Sequence, residues 1–490
     1  MSDGSLFLGL DVGTQSTKAI VVDARDGTVV ARGAQAYGLR EGLPPGHMEQ
    51  DPDLWIDAVA TASRQALQGL DVARIAGVGV SGQQHGCVVL DADGRVVRPA
   101  KLWCDTSTAD EAEDLAREIG RPVPVGFTAS KLLWLKRHEP QNWARVRRVL
   151  LPHDYVNFRL TGTAVMECGD ASGTGLFDVA LRNFDARACA AVDARLASML
   201  PSLVASGESA GRLSAAGAAL LGLREGTLVS AGGGDNMMAA IGSGAARSGT
   251  AVVSLGTSGT VFVRSDVPVV DPEGLIAPFC SSDGAFLPLL CVMNLTGVTE
   301  SVRSLTGLSH DDLTQRAARV PWGSDGLLWL PFLSGERVPD LPHANGSLLS
   351  MRNDNLTPGH LYRAALEGTS CNLAAGAKRL ARLCGPLREV RLCGGAAKNP
   401  LWRQILADLF EAPVVLVLEA EAAALGAAVQ ACWTAARMRG ERVECAEVAD
   451  RFVRADGAAI APSRDLAAPR ELFARFQREV HIRHGVEPVV

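Results

Sequence analysis

A two-domain α/β architecture is predicted by three features of this sequence. At 490 residues the chain exceeds what one hydrophobic core usually supports, so two large domains are expected. Two nearly matching turns stand about half a chain apart, in LGLDVGTQSTKAIVV from Leu8 and AVVSLGTSGTVFV from Ala251. Aligned, Asp11 falls on Ser254, Gly13 on Gly256, Thr14 on Thr257 and Thr17 on Thr260. Apolar β-branched runs and helical-period segments follow the first turn, strands first and then a helix leading to another strand, and the same order recurs more loosely after Ser254.

Each copy begins as an apolar run, breaks at a Gly-Thr pair and resumes as a β-branched run. That pattern is a strand, a tight turn and a strand, a hairpin rather than a P-loop. Asp26-Gly27 marks a second hairpin, so the first segment reads as a three-strand meander. Asp51 and Pro52 open a helix, DPDLWIDAVATASRQAL, with Leu54, Ala58 and Ala62 at helical spacing. The strand RIAGVGVSG follows. This order is how a ribonuclease-H-like layered α/β domain begins. The run AGGGDNMMAAIG then delivers one carboxylate, Asp235, to the start of a helix, and GAARSG at Gly244 to Gly249 marks the domain boundary. In the second half, Thr357 and Pro358 cap and open a long helix, EVRLCGG is a strand ending in a glycine turn, and PLWRQILADLF carries a core-facing stripe. The charged segment after Arg437 reads as a peripheral helical cap.

Composition narrows the function classes. The net charge is −6, with 48 basic and 54 acidic residues and no basic stripe, which argues against a nucleic-acid partner. Arg145 to Arg148 reads as a solvated face. Eleven cysteines without a C-x-x-C pair fit buried small residues in a reducing cytosol. The most apolar windows, at Phe286 and Ala422, are far short of a bilayer span, so a cytoplasmic protein without a membrane partner is expected. Assembly as a homodimer is left open.

The chemistry is carried by the turns and the acid between them. Glycine at such a turn lets the backbone approach a ligand, and hydroxyls and N–H groups supply donors to an anion. Thr14, Gln15, Ser16 and Thr17 beside Gly13 form the polar wall of one phosphate grip, and Gly256, Thr257 and Ser258 form the other. Two grips and one carboxylate point to phosphoryl transfer, with Asp235 as the general base. The bland alternative for Asp235 is a helix N-cap. Asp11 leaves its strand into the first turn, where it can hold Mg²⁺ or cap the turn. Lys18 reaches phosphates or solvent. His85 binds a ligand or satisfies a local bond, Trp55 and Trp103 read as core, and Glu336 with Arg337 reads as an ion pair.

With LGLDVGTQSTK, SGQQHG, GGGDN, SLGTSG, SGERVP and GGAAKN in order, residues 6 to 435 resemble the FGGY family of carbohydrate kinases. The resemblance implies two ribonuclease-H-like domains of the actin/hexokinase type with an interdomain cleft. Residues 1–245 would bind sugar and carry catalysis. Residues 246–490 would bind nucleotide and end in a helical tail. It implies ATP and Mg²⁺, Asp235 as base, and sugar contacts from Gln84, His85, Asp235 and Asn236. Gly394, Gly395, Ala396 and Asn399 would line the adenosine pocket, with the helix from Pro400 aiming its dipole at the nucleotide. The expected reaction is transfer to the terminal 5-hydroxyl of d-xylulose, with ribulose, gluconate or glycerol as sister substrates. An actin- or chaperone-like ATPase module is the rival class. Two departures stand out: the segment from Cys104 to Gly126 is short, and Gly394 to Lys398 reads GGAAK where the family usually has GGGAR.

Overall fold

The computed structural model describes residues 5–489. They form two compact units, one of residues 5–246, 278–287 and 421–453, the other of residues 247–277, 288–420 and 454–489. The expected division at residues 245/246 is therefore incomplete by packing: the chain returns twice to its first unit.

The first unit is built on a seven-stranded sheet. Its strands are β1 (Leu6–Val12), β2 (Ser16–Asp23), β3 (Val29–Ala36), β4 (Ile75–Gly82), β5 (Ser209–Arg212), β6 (Leu228–Ser230) and β7 (Gly233–Gly234). The order is β5–β6–β4–β1–β2–β3, with β7 also on β4. β1 to β3 are the antiparallel meander, while β1, β6 and β7 each run parallel to β4. β1 is apolar almost throughout because both of its faces are covered. Leu6, Leu8, Leu10 and Val12 pack with Trp55, Ile56 and Val59 of the helix Pro52–Leu67. Phe7 packs with Ala424, Ala427 and Ala428 of the helix Ala422–Met438. That second helix is rich in alanine, so that it can lie tight on the sheet. A Cβ at Gly9 would come 2.0 Å from the Ala424 carbonyl oxygen.

The second unit repeats the scheme with five strands: β8 (Thr250–Leu255), β9 (Gly259–Val263), β10 (Leu289–Val292), β11 (Glu389–Cys393) and β12 (Val414–Leu416). The order is β10–β9–β8–β11–β12, with β8 antiparallel to β9 and parallel to β11. In both units a three-strand meander is extended from its first strand by parallel strands, which is the ribonuclease-H-like arrangement the sequence predicts. Helices Pro358–Cys384 and Pro400–Phe410 complete this core through Leu366, Leu373, Trp402 and Leu406. Thr357 caps the first of them, accepting from the His360 N–H.

The segment after Arg437 is more than a peripheral cap. Helix Cys445–Phe452 buries Val448 and Phe452 in the first unit, and helix Ala467–His484 buries Phe476 and Val480 in the second. All eleven cysteines are free, six of them buried and five partly so. Among the described residues, no helix is long and apolar enough to cross a membrane.

Candidate active site

Parallel strands bring the first unit's polar residues to one edge. Along β1 and β4, Asp11 stands opposite Ser81, and along β4 and β7, Gly234 stands opposite Gly82. Asp11, the segment Gln83 to His85 and Asp235 thus all emerge at the carboxyl ends of three neighbouring parallel strands. Open α/β sheets bind ligands there.

Asp235 is the first residue of the helix Asp235–Gly242, and the N-cap is Gly234. The N-cap reading of Asp235 therefore fails. Its Oδ1 accepts from the main-chain N–H and the Nδ2 of Asn236, at 2.8 and 3.1 Å. Asn236 Nδ2 also donates to Gln84 Oε1 at 2.8 Å, which joins Asp235, Asn236 and Gln84 in one polar chain. Burial raises the Asp235 carboxyl to about 8, and the neighbouring charges of Asp11 and then Asp170 add to the shift. The ionised form of Asp235 is a stronger proton acceptor than an ordinary carboxylate. The preceding glycines serve close packing: a Cβ on Gly234 would lie 2.7 Å from Gln84 Cγ and 2.9 Å from Asp170 Oδ1.

His85 occupies the left-handed region, with φ of 64°. Its Nδ1 donates to the Gly173 carbonyl at 2.7 Å, and its ring stacks on Phe127 at 4.4 Å between centroids. The His85 carbonyl accepts from Lys131 Nζ at 2.7 Å and from Thr128 Oγ1 at 3.2 Å. Lys131 also donates to Gly126 O at 2.7 Å, and burial lowers its ammonium to about 7.

The first Gly-Thr turn is braced from beneath. Gln50 Nε2 donates to Thr14 O (2.7 Å), Gln50 Oε1 accepts from Gln83 Nε2 and Trp55 Nε1 (both 3.0 Å), and Thr14 Oγ1 donates to Gln83 Oε1 (2.9 Å). Gln15 is exposed and Ser16 half-buried at the turn, and Gly13 N–H closes it onto Ser16 O. Thr17 is a correction. It is fully buried with its hydroxyl against Tyr37, so the polar wall of this turn lacks it. Trp55 is core as expected, but Trp103 is 51% exposed and donates from Nε1 to Thr14 Oγ1 at 3.0 Å. Lys18, its side chain 38% exposed, pairs with Glu421 at 2.5 Å.

Asp11 accepts from Ser81 Oγ at 2.8 Å, and burial raises its pKa above that of an ordinary carboxyl. It also feels the opposed charges of Lys18, which lowers its pKa, and of Glu421, which raises it. Those features fit a hard divalent cation. His47, Glu49 and Asp105 also converge closely enough for a metal, but the Lys101 ammonium lies within 3.4 Å of each of them and fills that role.

In the second unit, an open cavity of about 670 Å³ is lined by Gly256, Thr257, Gly395, Ala396, Lys398 and Asn399. Ser254 pairs with Cys393, so the Gly256-Thr257 turn and the Gly394-Gly395 turn sit side by side at the carboxyl ends of β8 and β11. The helix Pro400–Phe410 starts at this cavity. Asn399 lines it while its side chain caps that helix, accepting from Leu401 and Trp402 N–H groups at 3.0 and 3.2 Å. Ser258 is exposed outside the lining, and Gly394 packs its backbone against Leu255.

Residues 6–242 match the N-terminal domain, and residues 251–435 the C-terminal domain, of the FGGY family of carbohydrate kinases. The chain belongs to that family. It is an ATP-dependent sugar kinase. The xylulose kinase of Haemophilus influenzae is 40% identical over 448 residues, which are 87% of this chain and 90% of that protein. Two solved structures from Lactobacillus acidophilus are also similar. A ligand-bound xylulose kinase has a TM-score of 0.89 at 25% identity, and a gluconate kinase has 0.88 at 26%; each comparison covers 98% of this chain and 99% of the other.

Several residues of this FGGY kinase's candidate site carry no sequence signal. His153 is fully buried between Asp170 at 2.5 Å and Asp154 at 3.0 Å; burial works against its charge, yet the two carboxylates hold the imidazolium well above its usual range. Asp170 in turn abuts Gly234 beside Asp235. In the cavity of the second unit, Thr296, Gly297 and Tyr362 join the lining.

Proposed function

We propose that this carbohydrate kinase transfers the γ-phosphoryl group of ATP to the terminal 5-hydroxyl of d-xylulose, giving d-xylulose 5-phosphate and ADP. The observation that carries the reading is the Asp235 carboxylate, raised to about 8 and tied through Asn236 to Gln84 at the strand edge. The names of the relatives support the sugar.

Gln84, His85 and Asn236 bind the ketose hydroxyls and orient the 5-hydroxyl towards Asp235. As the new oxygen–phosphorus bond forms and the bond to the β-phosphate oxygen breaks, Asp235 accepts the hydroxyl proton. Phosphoryl transfer asks for this positioning and proton acceptance more than for covalent chemistry. Gly256, Thr257, Gly395 and Ala396 bind the nucleotide in the second unit. Asp11 would hold Mg²⁺, which neutralises phosphate charge when bound. Lys398, at the arginine position of the usual motif, gives the nucleotide a point charge in place of a bidentate fork.

Phosphorus–proton correlation spectroscopy of the purified product tests the regiochemistry. Correlation to the C5 methylene protons is expected. Correlation to the C1 methylene or to a secondary carbinol proton would overturn the assignment.

A further inference from the structure

The acid of SGERVP has no part in the chemistry above, and the ion pair expected with Arg337 does not form. The Glu336 carboxylate accepts the Arg337 main-chain N–H instead, at 2.8 Å. Glu336 is only 3% exposed, and three further N–H donors converge on it. Its Oε1 also accepts from Met293 N at 2.6 Å, while its Oε2 accepts from Asn294 Nδ2 at 3.1 Å and from Asn372 Nδ2 at 3.2 Å. A carboxylate is suited to this place because it is acceptor-only, with room for about four donors.

Two of those donors belong to the corner that follows β10. Asn294 fixes the corner further, donating to Gly335 O at 2.5 Å and accepting from Ser334 N at 3.2 Å. The next two residues support the second Gly-Thr turn directly: Leu295 N–H donates to Thr257 O at 3.2 Å, and Thr296 N–H donates to Gly256 O at 3.1 Å. Gly256, Thr257, Thr296 and Gly297 then line the cavity of the second unit. A continuous path of hydrogen bonds therefore runs from one buried carboxylate through a chain corner to the turn.

We infer that Glu336 is a positioning residue for the nucleotide: it fixes the Met293-Asn294 corner on which the Gly256-Thr257 turn rests, and so sets the affinity for nucleotide phosphates without touching them. The inference rests on reading that cavity as the ATP site. It gives the SGERVP segment a task in ground-state binding, separate from the proton transfer at Asp235.

Glu336→Gln keeps the shape but replaces one acceptor oxygen by an NH₂ group that must face two donors, so one pair of bonds is lost. Calorimetric titration of the full chain with ADP and, separately, with d-xylulose reads the effect. The expected result is an ADP Kd raised by about tenfold, a matching rise in KM for ATP, and sugar affinity and kcat changed by less than about twofold. Unchanged ADP affinity, or equal weakening of ADP and sugar, overturns the inference. Ala396→Trp, which fills the cavity itself, separates the two readings. If it leaves ADP binding intact, the cavity is not the nucleotide site; if it abolishes ADP binding while Glu336→Gln has no effect, only the role of Glu336 fails. Should Glu336→Gln not fold, Asn294→Ser carries the same test, with an expected rise of about threefold in ADP Kd and none for sugar.

Discussion

The raised pKa of Asp235 makes a quantitative prediction about pH. Burial is the main cause and the charges of Asp11 and Asp170 add to it, bringing the carboxyl to about 8. A general base works only when ionised, so activity must fall as pH drops through that value. With a pKa of about 8, roughly one-tenth of the molecules are ionised at pH 7 and roughly one-hundredth at pH 6. Initial rates taken with both substrates well below KM report the free enzyme. They should rise about tenfold per pH unit from 6 towards 8 and then level off. Asp170→Asn removes one of the two like charges, so its limb should move to lower pH. Asp235→Ala should lose the limb and about 10²-fold or more of kcat, the range that positioned acid–base groups contribute. A flat profile from pH 6 to 9, or an Asp235→Ala variant turning over within about threefold of wild type, would refute the assignment.

Other consequences follow from the packing. Lys131 binds its proton more weakly folded, at about 7, than in the unfolded chain, at the ordinary lysine value of 10.5, so the unfolded chain holds the extra proton between those values. Stability should therefore rise with pH across that window, by an upper bound of about 5 kcal/mol. Lys131→Met should flatten this dependence in denaturant titrations and raise KM for sugar, because the His85 carbonyl loses its 2.7 Å donor; an unaltered slope would count against it. Gly9→Ala must push the helix Ala422–Met438 off the sheet, since its Cβ would sit 2.0 Å from Ala424 O. A loss of about 1–3 kcal/mol or more is expected, seen as a lower midpoint of thermal unfolding, and an unchanged midpoint would contradict the packing described.

The features legible in the sequence are those written in contiguous residues. Strand, Gly-Thr turn and strand recur within a dozen residues, so both hairpins and the repeated domain scheme could be read directly. The triple glycine before Asp235 pointed to a special backbone, and the structure supplies the reason in the approach of Gln84 and Asp170. What escaped depends on distant segments meeting. The helix Ala422–Met438 is rich in alanine, which says that it packs closely but not upon which sheet. Thr17 and Trp103 both adjoin polar motifs, yet strand alternation turns Thr17 inward while the loop leaves Trp103 outside. His153 and Asp170 stand 17 residues apart in unremarkable text, and Glu336 gathers donors from three separated stretches.

The central claim is tested most directly by coupled measurement of ADP release with Mg-ATP against d-xylulose, d- and l-ribulose, gluconate, glycerol and no sugar. Turnover with d-xylulose well above every other compound is the predicted result. ADP appearing at the same rate without any sugar, or faster with gluconate, would contradict it.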